Sequence, residues 1–454
     1  VYEKLMVSVS GVRGRVGDGL TPAVISKFAA GFGAWALKRG GSRTIVVGRD
    51  SRVSGPMFHR ATIAALQSVG CDVLDVGLAP TPTIQMAVED AHAAGGLAIT
   101  ASHNPIEWNA LKFIGSSGLF LDAEEGTAMR AVVESEIAYA TWDKLGTVTQ
   151  DTNAIDRHIQ RVLSLPFIQA DRIRERAFRV ALDCANGAGG AILPELLERL
   201  GCKVTGVNLE TDGRFKRPPE PVAANLGELE RLVLHVGADI GLATDPDVDR
   251  LALVSDTGTA IGEDWTLALA ARLALRYRPG PVVANLSTSR IVDDVAKEAG
   301  TSVIRAPVGE VNVALRMRAE GAAIGGEGNG GVILSELHLG RDAPVGVAML
   351  LQMLVEDGVP LSKVLARYPQ YRIVKDKLDR PNAPLDTVYS SLRASFPDAV
   401  VETQDGLRLS WDDRWVHVRP SGTEPIVRVI AEAPTDDEAR DLVARSRVPL
   451  DALR

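Results

Sequence analysis

One pattern recurs three times along this chain and limits what it can fold into. Apolar runs alternate with helical stretches, and the last run of each set breaks off at a polar or glycine-rich loop. In the first set Thr44 to Val47 reads as a strand, a helix opens at Pro56 and runs through Val69 with Gly70 behind it, and Val73 to Val76 reads as the next strand. Thr83 to Ala94 is a further helix, and the strand Gly96 to Ile99 ends at Thr100-Ala101-Ser102-His103-Asn104-Pro105. The second set takes Arg179 to Leu182, a helix Ala191 to Leu200 and the strand Lys203 to Val207. It ends with Ile240 to Ala243 and the loop Asp245-Pro246-Asp247-Val248-Asp249-Arg250. The third takes Val282 to Leu286, a helix capped by Ser287-Thr288-Ser289, Val303 to Ala306 and a helix Val311 to Ala319. Its last run, Ala322 to Gly325, leads into Gly326-Glu327-Gly328-Asn329-Gly330-Gly331. Such alternation implies parallel sheets with helices on their faces, so the expectation is three related α/β units. Ligands of such sheets sit outside the carboxyl ends of the strands, where all three loops fall.

Ser102 lies just past a strand end on a loop that Asn104-Pro105 keeps irregular, because the residue before proline is pushed out of the helical region. With His103 beside it, Ser102 is a candidate nucleophile, although a plain turn uses the same residue types. Asp245, Asp247 and Asp249 stand at alternate positions. Converging carboxylates repel unless a cation sits between them, and hard oxygens suit Mg²⁺; a solvated acidic loop is the other reading. An EF-hand is excluded, since Arg250 takes the position where its sharp turn requires glycine. The run Asp183-Cys184-Ala185-Asn186-Gly187-Ala188-Gly189-Gly190 lacks the lysine of a phosphate loop and the spacing of a dinucleotide site. Its glycines read as packing a helix close to its strand.

From about residue 369 the character changes. Leu407 to Trp411, Trp415 to Arg419 and Ile426 to Ala431 are short β-patterned runs, and Thr435-Asp436-Asp437-Glu438 caps a last helix. This reads as a small α+β domain. Between its strands lies Arg419-Pro420-Ser421-Gly422-Thr423-Glu424-Pro425. With Arg428 it offers guanidinium groups, hydroxyls and exposed backbone N–H, which is the inventory for a phosphate dianion or else a bare turn. Near the start, glycines flank Arg13, so the backbone turns while the guanidinium projects. Asp122 to Asp171 is charged and helical in pattern around a turn at Gly146. His338, Arg341 and Asp342 either line a cleft or sit solvated on a loop.

A net charge of −8 argues against a nucleic-acid or anionic-membrane partner. Cys71, Cys184 and Cys202 are odd in number, far apart and set in apolar surroundings, so they read as buried free thiols in a reducing compartment. No apolar run approaches the roughly 18–20 residues of a membrane span. The N-terminus lacks a secretory h-region. The expectation is a cytoplasmic enzyme.

Four stretches, in this order and spanning nearly the whole chain, resemble the α-D-phosphohexomutase family: Thr100–Pro105, Asp245–Arg250, Gly326–Gly331 and Arg419–Pro425. The resemblance implies three related mixed α/β domains plus a smaller C-terminal α+β domain around a central cleft. They would be 1–150 with a phosphoserine loop, 151–255 with a metal loop, 256–368 with a sugar-recognition loop and 369–454 with a phosphate-binding loop. It implies an isomerase that interconverts hexose 6-phosphate and hexose 1-phosphate through a phosphoserine enzyme and a bisphosphorylated sugar. Ser102 would carry the phosphoryl group and, with Asp245, Asp247 and Asp249, hold one Mg²⁺ per chain. Arg13 and His103 would lie at the phosphoserine. Lys112 would transfer a proton, a role that a lowered pKa favours. Arg250, Glu327, Asn329, Arg419, Ser421, Gly422, Thr423 and Arg428 would bind the sugar phosphate. Hexose 1,6-bisphosphate is the implied intermediate and activator, and the implied state is monomer or homodimer.

Many bacterial members carry a serine and a histidine in the second half of the sugar loop, where this chain has Asn329 and Gly331. Ile106-Glu107-Trp108-Asn109-Ala110 and the glycine-rich loop are most similar to the family's phosphoglucosamine mutase members. Glucosamine phosphate is therefore the expected substrate, with glucose or mannose phosphate (phosphoglucomutase/phosphomannomutase) as the alternative. Two readings come from other classes: a metal-dependent sugar phosphatase using the same serine, and a non-catalytic sugar-phosphate sensor. A phosphatase has no need of a second phosphate anchor far downstream. A sensor has none for Ser102 and all three aspartates together.

Overall fold

The computed structural model describes residues 4–421 and 426–452. Three of its sheets share one core order. In the first, Thr44–Arg49 pairs in parallel with Asp72–Leu78 on one side and Gly95–Ile99 on the other, and Trp108–Gly115 returns antiparallel beside Gly95–Ile99. Lys203–Val207, Arg179–Asp183, Ile240–Thr244 and Leu251–Val254 repeat this order in the second sheet. Val303–Ala306, Val282–Asn285, Ile324–Glu327 and Gly331–Leu334 repeat it in the third. The three related α/β units are there, but their sheets are mixed rather than purely parallel. Each functional loop is the hairpin between the third strand and the antiparallel fourth. The fourth strands of the second and third units are short, and all three are buried nearly throughout, so nothing in their apolar pattern reveals their direction. Each loop thus occupies the same place in its sheet, beside the point where the chain switches sides of the first strand.

The first sheet is the largest, with eight strands. Gly11–Val16 extends it beyond Trp108–Gly115, and Val148–Gln150 adds the opposite edge beside Asp72–Leu78. That edge strand falls in the stretch read as helical, between the helices Ala123–Glu134 and Ala154–Leu163. The helix expected to end at Ala94 stops at Asp90, and the chain turns through His92 (φ 44°) into the buried strand. Helix Pro22–Lys38 stacks Phe32 on Phe113 of the sheet, with centroids 5.6 Å apart. The largest core runs without a break from Met86 through Leu196 to Leu350 and so welds the three units together. Helix Ala343–Asp357 lies in it and is apolar on every side from Ala343 to Leu351, as a fully enclosed helix must be. Each leucine buried there stabilises by about 1.5–3 kcal/mol relative to exposure.

The C-terminal sheet has five strands, in the order Arg372–Asp379, Ile426–Ala433, Trp415–Pro420, Leu407–Ser410 and Val400–Glu402, all antiparallel. Helices Leu385–Ser395 and Asp436–Ala452 contribute to its core. A capping box opens the last helix, with Glu438 N–H donating to Thr435 Oγ1 (3.3 Å) and Thr435 N–H to Glu438 Oε2 (3.1 Å). This domain docks on the third unit through Ser287 Oγ and His417 Nδ1, 2.8 Å apart, and through Arg290, whose guanidinium donates to the carbonyls of Trp411 and Asp412. The three cysteines are free, with Cys71 and Cys184 buried. No helix among the described residues is long and apolar enough to cross a membrane.

Candidate active site

Strand Gly95–Ile99 is buried along its whole length and delivers Ser102 at its carboxyl end. Ser102 has φ 47°, in the left-handed region, which costs a non-glycine residue about 1–2 kcal/mol. Its hydroxyl donates to Asp245 Oδ2 at 2.7 Å, so the serine loop of the first unit meets the aspartate loop of the second.

That aspartate loop also turns through an unusual residue, Val248 at φ 65°. Val248 is fully buried, and its carbonyl accepts from Ala343 N–H at the head of the enclosed helix (3.2 Å). The turn brings Asp245, Asp247 and Asp249 together, each offering an oxygen within 4.8 Å of the others. Asp247 Oδ2 accepts from Lys112 Nζ and Thr81 Oγ1, both at 2.7 Å, and Asp249 Oδ2 from Arg341 at 2.6 Å. Asp247 Oδ1 and Asp249 Oδ1 are buried and have no hydrogen-bond partner among the described residues. Orphaned carboxylate oxygens are costly to bury, and this set of hard donors fits a metal ion. The glycine-rich run packs against this loop. A Cβ at Gly187 would lie 2.6 Å from Pro246 Cα, and one at Gly190 would lie 1.9 Å from the Leu209 carbonyl oxygen. The glycines admit neighbouring loops rather than a phosphate.

Burial and the facing Asp247 and Asp249 push Asp245 well above the usual carboxylate range. Burial works the same way on Asp247, but Lys112 and hydrogen bonds from Asp245, Lys112 and Thr81 hold it low. For Lys112 the expectation of a lowered pKa is corrected. Burial lowers it, yet Asp247 and Asp249 raise it more, so the side chain is an ammonium. His103 is pushed down to about 2 by Arg250, burial and Arg13, and its Nδ1 lies 3.5 Å from Ser102 Oγ. Its imidazole is therefore neutral.

Ser102, His103, Arg13, Lys112, Arg250, Glu327, Asn329 and Arg428 line one cleft of about 350 Å³, within the range of small-molecule sites. Arg13 donates to Asn104 Oδ1 at 2.6 Å. Glu327 accepts from Asn285 Nδ2 (2.8 Å) and Gly309 N–H (3.0 Å), and Asn329 Oδ1 accepts from Gly331 N–H (3.2 Å). Arg341 also lines the cleft and joins Asp249, Glu310 and Glu327 at 2.6, 3.0 and 2.7 Å. Arg419 is not in the cleft wall. It lies across the strand pair from Arg428, with its Nε donating to Asp405 Oδ2 at 2.9 Å. Ser421 N–H donates to the Ile426 carbonyl at 2.9 Å, while Gly422 and Thr423 lie outside the described residues.

His338 and Asp342 lie away from the cleft wall. Asp342 Oδ2 contacts His158 Nε2 (2.8 Å) and His338 Nε2 (2.9 Å), and its Oδ1 caps the enclosed helix. Sequence reasoning gave no role to Thr81, Glu310, Asp50 and Arg52, nor to Thr100 within the serine-loop motif. Arg52 lies three residues past the strand Thr44–Arg49, near the carboxyl end where functional groups collect, and that position was the available signal.

Models described as phosphoglucomutase/phosphomannomutase α/β/α domains I, II and III and C-terminal domain match residues 4–140, 156–258, 262–371 and 375–447. Over 439 residues the chain is 38% identical to a probable phosphoglucosamine mutase of Methanopyrus kandleri, covering 95% of each. It is also 38% identical over 439 residues to a phosphoglucomutase/phosphomannomutase of Thermococcus kodakarensis, again covering 95% of each. The crystal structure of a phosphoglucomutase/phosphomannomutase family protein from Burkholderia thailandensis matches with a TM-score of 0.85 at 26% identity, over 99% of this chain and 97% of that one. With four matched domains in order, the chain belongs to the phosphoglucomutase/phosphomannomutase family and is a phosphohexomutase, an isomerase.

Proposed function

We propose that the chain interconverts glucosamine 6-phosphate and glucosamine 1-phosphate, with Ser102 as the phosphoryl carrier. The 2.7 Å bond from Ser102 Oγ to Asp245, beside the two orphaned aspartate oxygens, carries this reading. It sets a phosphoryl acceptor against a cation site. Asp245, Asp247 and Asp249 would hold one Mg²⁺, which neutralises charge on the transferring group. Arg428 and Arg419 anchor the phosphate the sugar already carries, so its far hydroxyl is aligned for in-line attack on phosphoserine 102. The phosphoryl group moves from Ser102 Oγ to that hydroxyl, and the hydroxyl's proton ends on Ser102 Oγ. Lys112, as an ammonium in the same cleft, is placed to relay it. Arg13 and Arg250 balance the dianion. Glu327 and Asn329 accept and donate to sugar hydroxyls. The hexose 1,6-bisphosphate then turns over and returns its other phosphate to Ser102. Added bisphosphate restores phosphoserine lost to water and so acts as activator. The free thiols fit a reducing compartment such as the cytoplasm.

The relative of equal identity named for glucose and mannose phosphates favours a second reading, a gluco/mannomutase. Assays of the purified protein on glucosamine, glucose and mannose 1-phosphates, with catalytic bisphosphate, decide between them by kcat/KM. Ser102→Ala removes one hydroxyl and should abolish turnover on all three while the fold stays intact. Intact-mass measurement should find one phosphate on part of the wild type and none on the variant. Full activity in Ser102→Ala would sink the covalent mechanism.

A further inference from the structure

Arg52 is completely enclosed by protein. A guanidinium out of water must have its donors met, and the groups that meet these define what Arg52 holds. Nη1 donates to the carbonyls of Pro105 (2.8 Å) and Trp108 (2.9 Å), and Nη2 to those of Ser102 (2.5 Å) and Asn104 (2.7 Å). All four carbonyls belong to the serine loop and the first residue of the strand behind it. Nε donates to Asp50 Oδ2 at 3.1 Å. Asp50 Oδ2 also accepts from Thr100 Oγ1 (2.7 Å), and Thr100 Oγ1 in turn accepts from Ser102 N–H (2.9 Å). The two peptide groups flanking the Ser102 Cα are thus gripped by one buried unit, one through its N–H and the other through its C=O. Gripping both fixes φ and ψ, which is what a serine in the left-handed region requires.

The second unit has a counterpart. Asp183 ends its first strand, and Arg217 donates through Nε to Asp183 Oδ2 (2.7 Å) and through Nη2 to the carbonyl of Thr244 (2.9 Å), the residue before Asp245. The two grips touch. Ser51 Oγ donates to the Asn186 carbonyl at 2.7 Å, and the Arg52 guanidinium lies over the Phe215 ring, 5.0 Å from its centre.

We propose that Arg52 is a positioning residue for phosphoryl transfer. With Asp50 and Thr100 it holds Ser102 in the backbone conformation that aims Oγ at Asp245, while Arg217 sets that aspartate opposite. The inference rests on Ser102 being the phosphoryl carrier. Without the grip the serine relaxes to common backbone angles and the in-line geometry is lost, whereas the sugar's own phosphate is still anchored at the far end of the cleft. The defect should therefore fall on kcat and leave KM alone.

The test uses the full chain with Arg52→Met, Thr100→Val and Thr100→Ser. Thr100→Val is nearly isosteric and keeps the test open if Arg52→Met does not fold. Thr100→Ser retains the hydroxyl. For each, kcat, KM, the thermal midpoint and the rate at which glucose 1,6-bisphosphate phosphorylates Ser102 are measured, the last by intact mass. Misplacing a reacting atom by an ångström costs about 10²-fold, so folded Arg52→Met and Thr100→Val should lose about that much in kcat and in phosphoserine formation. KM should stay within about twofold, as for an interaction felt only in the transition state. Thr100→Ser should recover most of the rate. Phosphoserine forming at the wild-type rate in a folded Arg52→Met or Thr100→Val overturns the inference, and so does a kcat loss that Thr100→Ser shares in full. A wild type that never takes up phosphate overturns both this inference and the carrier reading beneath it, whereas uptake by wild type and variants alike removes only this one.

Discussion

Arg419 and Arg428 stand directly opposite each other on adjacent antiparallel strands, so two guanidinium groups share one face of the C-terminal sheet. Asp405 already holds Arg419 through Nε, and two guanidinium groups on one face still suit an anion such as a phosphate, which takes charge-assisted bonds from both. Arg419→Ala and Arg428→Ala should each raise KM for sugar phosphates about 10- to 100-fold, the equivalent of a lost charge-assisted bond of about 1.5–3 kcal/mol. Inorganic phosphate should raise the thermal midpoint of the wild type more than that of either variant. An unchanged KM in both would remove this sheet from the site. If phosphate released to water per turnover also rises in Arg419→Ala, the C-terminal domain helps shield phosphoserine as well as anchoring the sugar.

Removal of one metal-site carboxylate charge should be felt as lost cation affinity. Asp247→Asn keeps the shape and the acceptor for Lys112 and Thr81 but lowers the local charge. Turnover should fall at least about tenfold at limiting Mg²⁺ and recover partly at high Mg²⁺. A chelator should inhibit the wild type reversibly. Turnover indifferent to both treatments would make the three aspartates a structural cluster.

The space beside Pro246 is the subject of a packing test. Gly187→Ala pushes a methyl group into the aspartate loop, where backbone cannot give way cheaply. Overpacking of this kind destabilises by about 1–3 kcal/mol. Urea unfolding should show that loss, and the Mg²⁺ dependence of activity should shift to higher concentration. A shift in stability without one in Mg²⁺ dependence would mean that the loop moves aside as a body.

Acid should weaken the contact between the C-terminal domain and the third unit at His417. Burial is the main cause that brings His417 down to about 4, below its ordinary 6.5. Nε2 contacts the Asp405 carbonyl at 2.6 Å, so it carries the proton, and Nδ1 is left to accept from Ser287 Oγ. The unfolded chain takes up a proton below pH 6.5, while the folded one does so only near pH 4. The stabilisation is therefore full above 6.5 and is lost as pH falls from 6.5 to 4. Thermal unfolding of wild type and His417→Gln across that window should converge at the acid end. Parallel curves would show that this ring does not contribute to the pH dependence.

The three units and their loops were legible because buried strands and amphipathic helices leave periodic traces in the residues themselves. The strand Val148–Gln150 left none, since all three of its residues are exposed. Arg372–Asp379 does not read as a strand, because Lys375, Asp376 and Lys377 stand in a row and break the alternation that marks a half-buried strand. Ser102 and the three aspartates stood out by their neighbours in sequence. What Lys112 does depends on Asp247, 135 residues away, and its raised pKa follows from that contact rather than from anything beside it in the chain. For Arg52 the sequence showed only its place just past a strand end; its role lies in four carbonyls that converge after folding.

The bond between Ser102 and Asp245 spans 143 residues, and it has a consequence for the chain as it is made. Synthesis runs from the N-terminus, so Ser102 emerges well before the carboxylates that complete its surroundings, and Arg419 and Arg428 come last. An unfinished or clipped product holds Ser102 without the aspartate loop, or both without the C-terminal arginines. Dividing the reaction centre among successive folding units makes completeness of the polypeptide a condition for chemistry.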